Sequence, residues 1–445
     1  MTAREMALQI LYKVNEEQAF ANIALENAMS GKKLDDKRDA GLVTEIVNGT
    51  IKNKIYLDYV IAQFSRQKIE KLSPWVRNIL RMSVYQLLFL DKIPESAAVN
   101  EGVNLTKKYS HQGSVRFANA VLRNVIRKKG QWEIPSKEEK PVQFLSITYS
   151  FPEWLVAFFI DEYGIENTEA LLSYFNQVPP LWVRRNALKI SKELFEQKLL
   201  EAGLSYKRSP FVSEGYQITE RSNLFATEMY ASGLLSLQDE TSMFAVDILD
   251  PQPGETILDA CSAPGGKTMF IAERMQNTGM LKAMDLYSQR MAIVSREANR
   301  MGVSIMETEV CDAGKADQKY DQIFDRILID APCSGLGVLG RRSDLRYHAE
   351  SCKFSEMIQV QQAILKSAAN ILKPEGVLVY STCTLHAAEN ADMIENFLST
   401  HPDFERMDIS KYEAYLDNNG NLQTLPFRDN KSGFFVAKLR KRGSD

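Results

Sequence analysis

The chain has 445 residues, 44% apolar and 25% charged, with 54 Lys and Arg against 57 Asp and Glu for a net charge of −3. That apolar share excludes disorder over most of the length, and no run approaches about 18 uninterrupted apolar residues, which argues against a membrane-spanning helix. Five scattered cysteines, with no CxxC pair and no HExxH, argue against a disulfide framework and a metal site, so the expected compartment is the reducing cytoplasm.

The first ten residues, MTAREMALQI, lack the apolar core of a secretory signal. Residues 1–130 read as all helix. Ala7, Leu8, Leu11 and Val14 recur at helical spacing, as do Ile79, Met82, Val84 and Leu87. VRFANAVLRNVIRKK sets Phe117, Val121 and Val125 on one stripe, with basic residues at its end. These 130 residues carry 21 basic and 13 acidic side chains, a net +8, which leaves −11 for the remainder. A basic first domain suits a polyanionic partner, although a solvated charged face explains the same charge. Residues 131–145 read as a linker, because RKKGQWEIPSKEEKP (128–142) combines dense charge and two prolines without a period. Residues 146–240 read as a small α+β unit. FPEWLVAFFIDEYG and NTEALLSYF are predicted helices, LWVRRNAL a strand, and SKELFEQKLLEAG a helix with a Gly stop. From 241 to 445, the short strands ETILDA, MLKAMD, SIMETEV, RILIDA and GVLVYST alternate with helical segments. That order predicts a parallel sheet with helices on both faces, and ligands outside the carboxyl ends of its strands.

Four motifs fall at those ends. In LDACSAPGGKT (258–268), Gly265 and Gly266 remove side chains so that a ligand can approach the backbone. Lys267-Thr268 is similar to a phosphate-binding loop, but such a loop needs Gly where Cys261 stands, and a plain strand-to-helix turn is the bland alternative. Asp285 closes the next strand 19 residues after Gly266, a distance suited to accepting hydrogen bonds from ribose hydroxyls. Asp312, after the third strand, is placed to line the same crevice and to meet an adenine amino group. Either acid alone is as readily a helix cap, but together they favour an adenosine-containing cofactor. DRILIDAPCSGLGVLGRRSDLRYH delivers Asp330, Cys333 and a Gly-rich loop whose Arg341, Arg342 and Arg346 are suited either to fixing phosphates or to solvation. GVLVYSTCTLHAAEN brings Cys383 to the end of what should be a neighbouring strand. A nucleophile, a second thiol and a carboxyl group then face one pocket. Cys261, Cys311 and Cys352 read as structural, with Cys261 lining the glycine turn.

LDACSAPGGKT, DAPCSG and YSTCT, in this order, resemble the cytosine-5 RNA methyltransferases that use S-adenosylmethionine. GLLSLQDETSM (233–243) resembles that family's extra motif ahead of the glycine turn, and DNKSGFFVAKL (429–439) its closing strand. Residues 1–130 look like a NusB-type helical RNA-binding domain. The combination is similar to the branch that modifies bacterial 16S ribosomal RNA. The fold expected is therefore a NusB-like all-α domain (1–130), a small α+β domain (146–240) and an α/β Rossmann-like methyltransferase domain (241–445). The resemblance implies that Cys383 attacks carbon 6 of the base, that Cys333 assists product release, and that Asp330 hydrogen-bonds the ring. It implies that Cys261, Ser262, Ala263, Pro264, Gly265, Gly266 and Lys267 hold the methionine part of S-adenosylmethionine. Asp285 would take the ribose and Asp312 the adenine edge, and Asp330 would lie near the methyl. The expected partner is 16S rRNA, free or in an early assembly intermediate, bound by a monomer away from membranes. Arg184 and Arg185 are candidate RNA contacts, or else ordinary strand-edge charges. Ser343 stands before Asp344 where relatives often carry proline, which implies a less rigid loop. Two other readings are a tRNA substrate and a non-catalytic RNA-binding factor; the paired Cys333 and Cys383 argue against the second.

Overall fold

The computed structural model describes residues 1–30, 37–220, 224, 227–348 and 354–443. Its contacts divide the chain into two units: residues 1–177 with 339–349, and residues 178–338 with 350–445. Cys352 lies outside the described residues.

The first unit is helical, as the apolar spacing predicts. Its opening helices are α1 (Ala3–Glu16), α2 (Ala21–Ser30), α3 (Lys37–Lys52), α4 (Lys54–Phe64), α5 (Pro74–Phe89), α6 (Glu95–Tyr109) and α7 (Gln112–Arg127). Thr2 caps α1 by accepting from the Glu5 amide, and Ser73 caps α5 ahead of a proline at its first position. Ala7, Leu8, Leu11 and Val14 pack with Val43, Val47, Ile79 and Met82; Val121 and Val125 join a second cluster with Val60, Leu80 and Val84. Two further helices follow, α8 (Pro141–Tyr149) and α9 (Glu153–Asn176). Proline at its first turn starts α8 inside the stretch read as a linker. Gly164, at φ 76° and ψ 168°, breaks α9 into the two helical segments read from the sequence.

The arginine-rich loop belongs to this unit, and that corrects the phosphate reading of Arg346. Its side chain is fully buried, with the guanidinium 3.7 Å from the centre of the Phe151 ring. It donates to the carbonyls of Lys52 and Ser150 at 3.3 and 3.2 Å and to Asn176 Oδ1 at 3.3 Å. Burial lowers its pKa to about 10. Two residues earlier, the buried Asp344 accepts from the Ala21 amide at 2.9 Å. The loop is thus anchored from both ends of Asp344–Arg346 despite Ser343 in place of proline. Arg341 and Arg342 are exposed.

The second unit holds two sheets. The smaller is antiparallel, in the order β2-β3-β1-β4, from β1 (Leu181–Arg185), β2 (Tyr206–Arg208), β3 (Gly215–Ile218) and β4 (Leu235–Leu237). Helix α10 (Lys192–Glu201) packs Phe195 and Leu199 against its Val183 and Tyr216. The larger sheet contains the five strands read from the sequence: β5 (Thr256–Asp259), β6 (Met280–Asp285), β7 (Met306–Val310), β8 (Phe324–Asp330) and β9 (Leu372–Thr382). They are mutually parallel in the order β7-β6-β5-β8-β9. The sheet is mixed rather than wholly parallel. After β10 (Phe404–Arg406) and β11 (Leu422–Thr424), β12 (Phe434–Lys441) runs antiparallel to β9 and carries β10 and β11 beside it. Alternation along the strands sends Ile327, Ile329, Leu378 and Tyr380 to one face, against Ile364, Leu365 and Ala368. Ile257, Leu328 and Val379 point to the other, against Phe244, Phe270 and Ile271. Chain order reverses on either side of β5, so the crevice between the ends of β5 and β8 is where this fold accepts ligands.

Replacing Arg346 with Ala strips partners from several buried acceptors and opens a hole beside Phe151. It is expected to cost about 3 kcal/mol in chemical denaturation. A variant of undiminished stability that binds RNA more weakly would restore the phosphate role.

Candidate active site

The glycine turn follows β5. Ser262 fastens it, its amide and hydroxyl both donating to the Met284 carbonyl at 2.8 and 2.9 Å. Gly265 sits at φ 109°, a left-handed conformation that side-chain-bearing residues rarely adopt. The turn then enters a helix, Gly266–Arg274, whose N-terminal amides face the crevice end of the strands.

Three carboxylates surround this turn: Asp259, Asp330 and Asp285 all act electrostatically on Cys261. Burial, and then those charges, push the Cys261 thiol well up, so it stays protonated. The half-buried Cys311 is also pushed up, chiefly by burial. Both agree with a structural part for these cysteines. Asp259 is fully buried, accepts from Thr268 Oγ1 at 2.7 Å, and leaves Oδ1 without a hydrogen bond. Burial pushes its pKa up to about 7, against the Thr268 hydrogen bond. Lys267 Nζ lies 2.7 Å from Asp330 Oδ2, and Ser381 Oγ donates to Asp330 Oδ1 at 3.0 Å. A turn whose lysine is already paired with an acid is ill suited to a triphosphate.

Asp285 is buried at the end of β6, where it accepts from the Tyr287 amide at 3.1 Å and lies 3.2 Å from the Arg290 guanidinium. Beside it, Leu286, Tyr287, Arg290 and Val310 line an open cavity of about 470 Å³. Leu286 and Val310 are each 54% exposed. Two exposed apolar side chains beside a buried carboxylate suit a flat apolar ring joined to a hydroxylated sugar. The Asp312 carboxylate is exposed and caps the next turn, accepting from the Gly314 amide at 3.0 Å, with Lys315 at 3.6 Å.

The two sulfurs are brought together by strand pairing. Asp330 of β8 lies opposite Ser381 of β9, so Cys333 and Cys383 leave adjacent strand ends. Their Sγ atoms are 3.4 Å apart, and both residues are half-buried. The Gly-rich loop permits this approach. Gly337 donates its amide to the Cys383 carbonyl at 2.9 Å, and a Cβ there would stand 2.1 Å from the Gly433 carbonyl. The hydrogen bond with Cys383, then burial, push the Cys333 thiol well above its ordinary pKa. Either sulfur can be the donor in this contact, and the direction of the shift favours Cys333 as the one that holds a proton.

Arg184 corrects the expectation of an RNA contact. Arg184 is fully buried and pairs with Glu273 through two nitrogens, at 3.1 and 2.7 Å. It also donates to the Gly266 carbonyl at 2.8 Å and to Gln238. It therefore holds the glycine turn from the smaller sheet. Arg185 donates to the Ile190 carbonyl at 2.6 Å. Sequence reasoning assigned no part to Asp259 or Glu389, although both stand inside quoted motifs. Their signal was an acid within an otherwise apolar or small-residue run, where a carboxylate must find partners or change its pKa.

Five parallel strands within a mixed sheet, with a glycine turn after the first of them and buried acids around that turn, define an α/β fold of the nucleoside-binding type. Family models match three segments: the NusB family over residues 1–127, an RsmF/B-like ferredoxin-like domain over 151–224, and the 16S rRNA methyltransferase RsmB/F family over 246–440. The probable ribosomal RNA small subunit methyltransferase B of Bacillus subtilis is 37% identical over 99% of both chains. The crystal structure of PH0851 superposes with a TM-score of 0.85 at 28% identity over 99% of both chains. NSun6 of Pyrococcus horikoshii with SFG shares the fold over 66% of this chain, at a TM-score of 0.60 and 23% identity. The chain belongs to the 16S rRNA methyltransferase RsmB/F family. The methyl donor of this fold family is S-adenosylmethionine.

Asp259 gives a pH signature. Its folded-state pKa, about 7, stands above the ordinary 3.8. Below about pH 4 folded and unfolded chains both hold the proton. Between there and pH 7 only the folded chain keeps it, so this group's contribution to stability is lost as the pH rises. Asp259→Asn is expected to raise stability by about 1–3 kcal/mol at pH 8, and by little at pH 4. A pH-independent difference in urea unfolding would reject the buried, proton-holding state.

Proposed function

We propose that this protein methylates carbon 5 of a cytosine in 16S ribosomal RNA, with Cys383 as the attacking sulfur. The observation that carries the reading is the 3.4 Å pair of sulfurs at adjacent strand ends, with Asp330 three residues before one of them. Carbon 5 of cytosine is a weak nucleophile. The Cys383 thiolate adds to carbon 6, the C5=C6 π bond opens, and its electron pair moves to carbon 5. Bound S-adenosylmethionine supplies the electrophilic methyl on its sulfonium. Asp330 hydrogen-bonds the ring nitrogen that gains charge as the pair moves. Cys333 assists release: the carbon 5 proton passes to solvent, its C–H electron pair re-forms the C5=C6 bond, and the C6–S bond breaks so that Cys383 leaves as thiolate. Two thiols in contact favour this division of labour, because one holds a proton while the other attacks.

The residues fit the donor. The turn Cys261-Ser262-Ala263-Pro264-Gly265-Gly266-Lys267 would hold its methionine part, with Asp259, Asp285 and Asp330 around it. Asp285 is the ribose ligand in this reading and Asp312 lies toward the adenine edge, beyond the cavity lined by Leu286 and Val310. Lys267 fixes the Asp330 carboxylate. The target base must leave its stack to reach Cys383, so a single-stranded or flipped cytosine is the substrate form. Residues 1–130 and 146–240 bind the surrounding RNA, and 241–445 carry the chemistry. The protein works as a monomer in the cytoplasm on free rRNA or an early assembly intermediate.

Cys383→Ala is expected to abolish methyl transfer while leaving donor binding nearly unchanged; full residual activity would reject the attack. Cys333→Ala should accumulate a covalent protein–RNA adduct, seen as a retarded band on a denaturing gel. An adduct with Cys383→Ala instead would reverse the two roles. Calorimetry tests the ribose ligand: Asp285→Ala should weaken S-adenosylmethionine binding by about 1–3 kcal/mol, and unchanged affinity removes Asp285 from the site.

A further inference from the structure

One buried carboxylate beside the two sulfurs has no part in the scheme above. Glu389 closes the short turn Ala387–Glu389, six residues after Cys383, and its side chain is fully buried. Its Oε2 accepts from the Ser334 amide and from Gln361 Nε2, both at 2.9 Å. Its Oε1 accepts from the Ser334 hydroxyl at 2.5 Å and lies 3.5 Å from Thr384 Oγ1 and 3.4 Å from His386 Nδ1. The Ser334 and Thr384 hydroxyls meet at 2.6 Å, and Gln361 also donates to the Pro332 carbonyl at 2.8 Å. The residues on both sides of Cys333, and the residue after Cys383, are thereby gathered around one side chain.

Such a carboxylate has two physical effects. As an acceptor shared by two loops, it fixes their separation, and with it the contact between the sulfurs. As a charge, it acts on the nearest thiol. Burial by itself would raise the Glu389 pKa, but the His386 ring beside it and the hydrogen bonds from Ser334 and Gln361 prevail and hold it below the usual range. The fixed negative charge then disfavours ionisation of Cys333, adding to the hydrogen bond with Cys383 and to burial. The other titratable groups around the pair do not replace it. Tyr380, held neutral by burial, donates its phenol to the Glu389 carbonyl at 2.8 Å, and Asp330 is engaged with Lys267 and Ser381.

We propose that Glu389 is a positioning residue that clamps the Cys333 and Cys383 loops together and keeps Cys333 the hydrogen-bond donor, leaving Cys383 free to attack. The inference rests on the assignment of attack to Cys383, but its test reads the thiols directly and needs neither RNA nor methyl donor. The full-length protein is treated with iodoacetamide across a pH series, and labelling of each cysteine is followed by peptide mass spectrometry. The wild type is expected to label at Cys383 at lower pH than at Cys333. In Glu389→Gln the onset at Cys333 should fall by about one pH unit, narrowing the gap. Glu389→Asp keeps the charge but withdraws it by one methylene. It should leave the Cys333 onset in place and slow methyl transfer about tenfold, with the KM for RNA unchanged, as expected for a loss of positioning. Unchanged labelling in Glu389→Gln overturns the proposal. So does a wild type that labels first at Cys333, a result available even if the Gln variant does not fold. Retained activity in Cys383→Ala would instead sink the attack assignment while leaving the labelling order standing.

Discussion

The contact between the Cys333 and Cys383 sulfurs, on which the proposed chemistry turns, depends on hydrogen-bonded register. Neighbouring strands lie about 4.8 Å apart, and β8 and β9 run parallel with Asp330 opposite Ser381. Each strand releases its cysteine within three residues of that rung, so the sheet itself sets the starting separation of the two thiols. Closing the remaining distance requires the loops to touch, and Gly337 and Gly433 make that possible where a Cβ would collide with main chain. A register slip of one residue between β8 and β9 would move the two cysteines out of step along the strands.

The cofactor crevice follows a different logic, that of carboxyl groups paired or protonated by their own surroundings. Lys267 neutralises Asp330, Arg290 lies beside Asp285, and Asp259 holds its proton near neutral pH. The turn thus carries little of the negative charge that its three carboxyl groups suggest. Lys267, held by Asp330, is not available to a triphosphate. Lys267-Thr268 therefore imitates a phosphate loop in sequence while doing something else in space: the lysine is bound to an acid, and Thr268 donates to Asp259.

Periodicity and strand-end residues made much of this legible before any coordinates. The five parallel strands, the helical first 130 residues and the break at Gly164 could be read because burial imposes a period on apolar residues. The short strands β2, β3, β4, β10 and β11 could not, since three or four residues carry too little alternation and are held by neighbours distant in sequence. The antiparallel insertion of β12 was invisible for the same reason: direction is set by the connection, not by the strand's own residues. Among site residues, Cys333, Cys383, Asp330 and Asp285 sit at strand ends and announced themselves. Glu389 did not, because its importance lies in accepting from Ser334 and Gln361, partners 55 and 28 residues away.

Arginine was the residue type most readily misread, for a physical reason. A guanidinium has five donors and a flat face that stacks on aromatics, so it can serve RNA or the interior equally well. Arg184 meets Glu273, Gln238 and the Gly266 carbonyl while lying over the Phe270 ring; Arg346 meets main-chain carbonyls over Phe151. Neither can reach a phosphate without abandoning buried acceptors, which costs more than a surface contact returns. Composition counts both as positive charge available to a polyanion, but burial removes them from that sum. The net charge of a segment therefore measures its attraction for nucleic acid only after the arginines that bind the protein's own backbone have been subtracted.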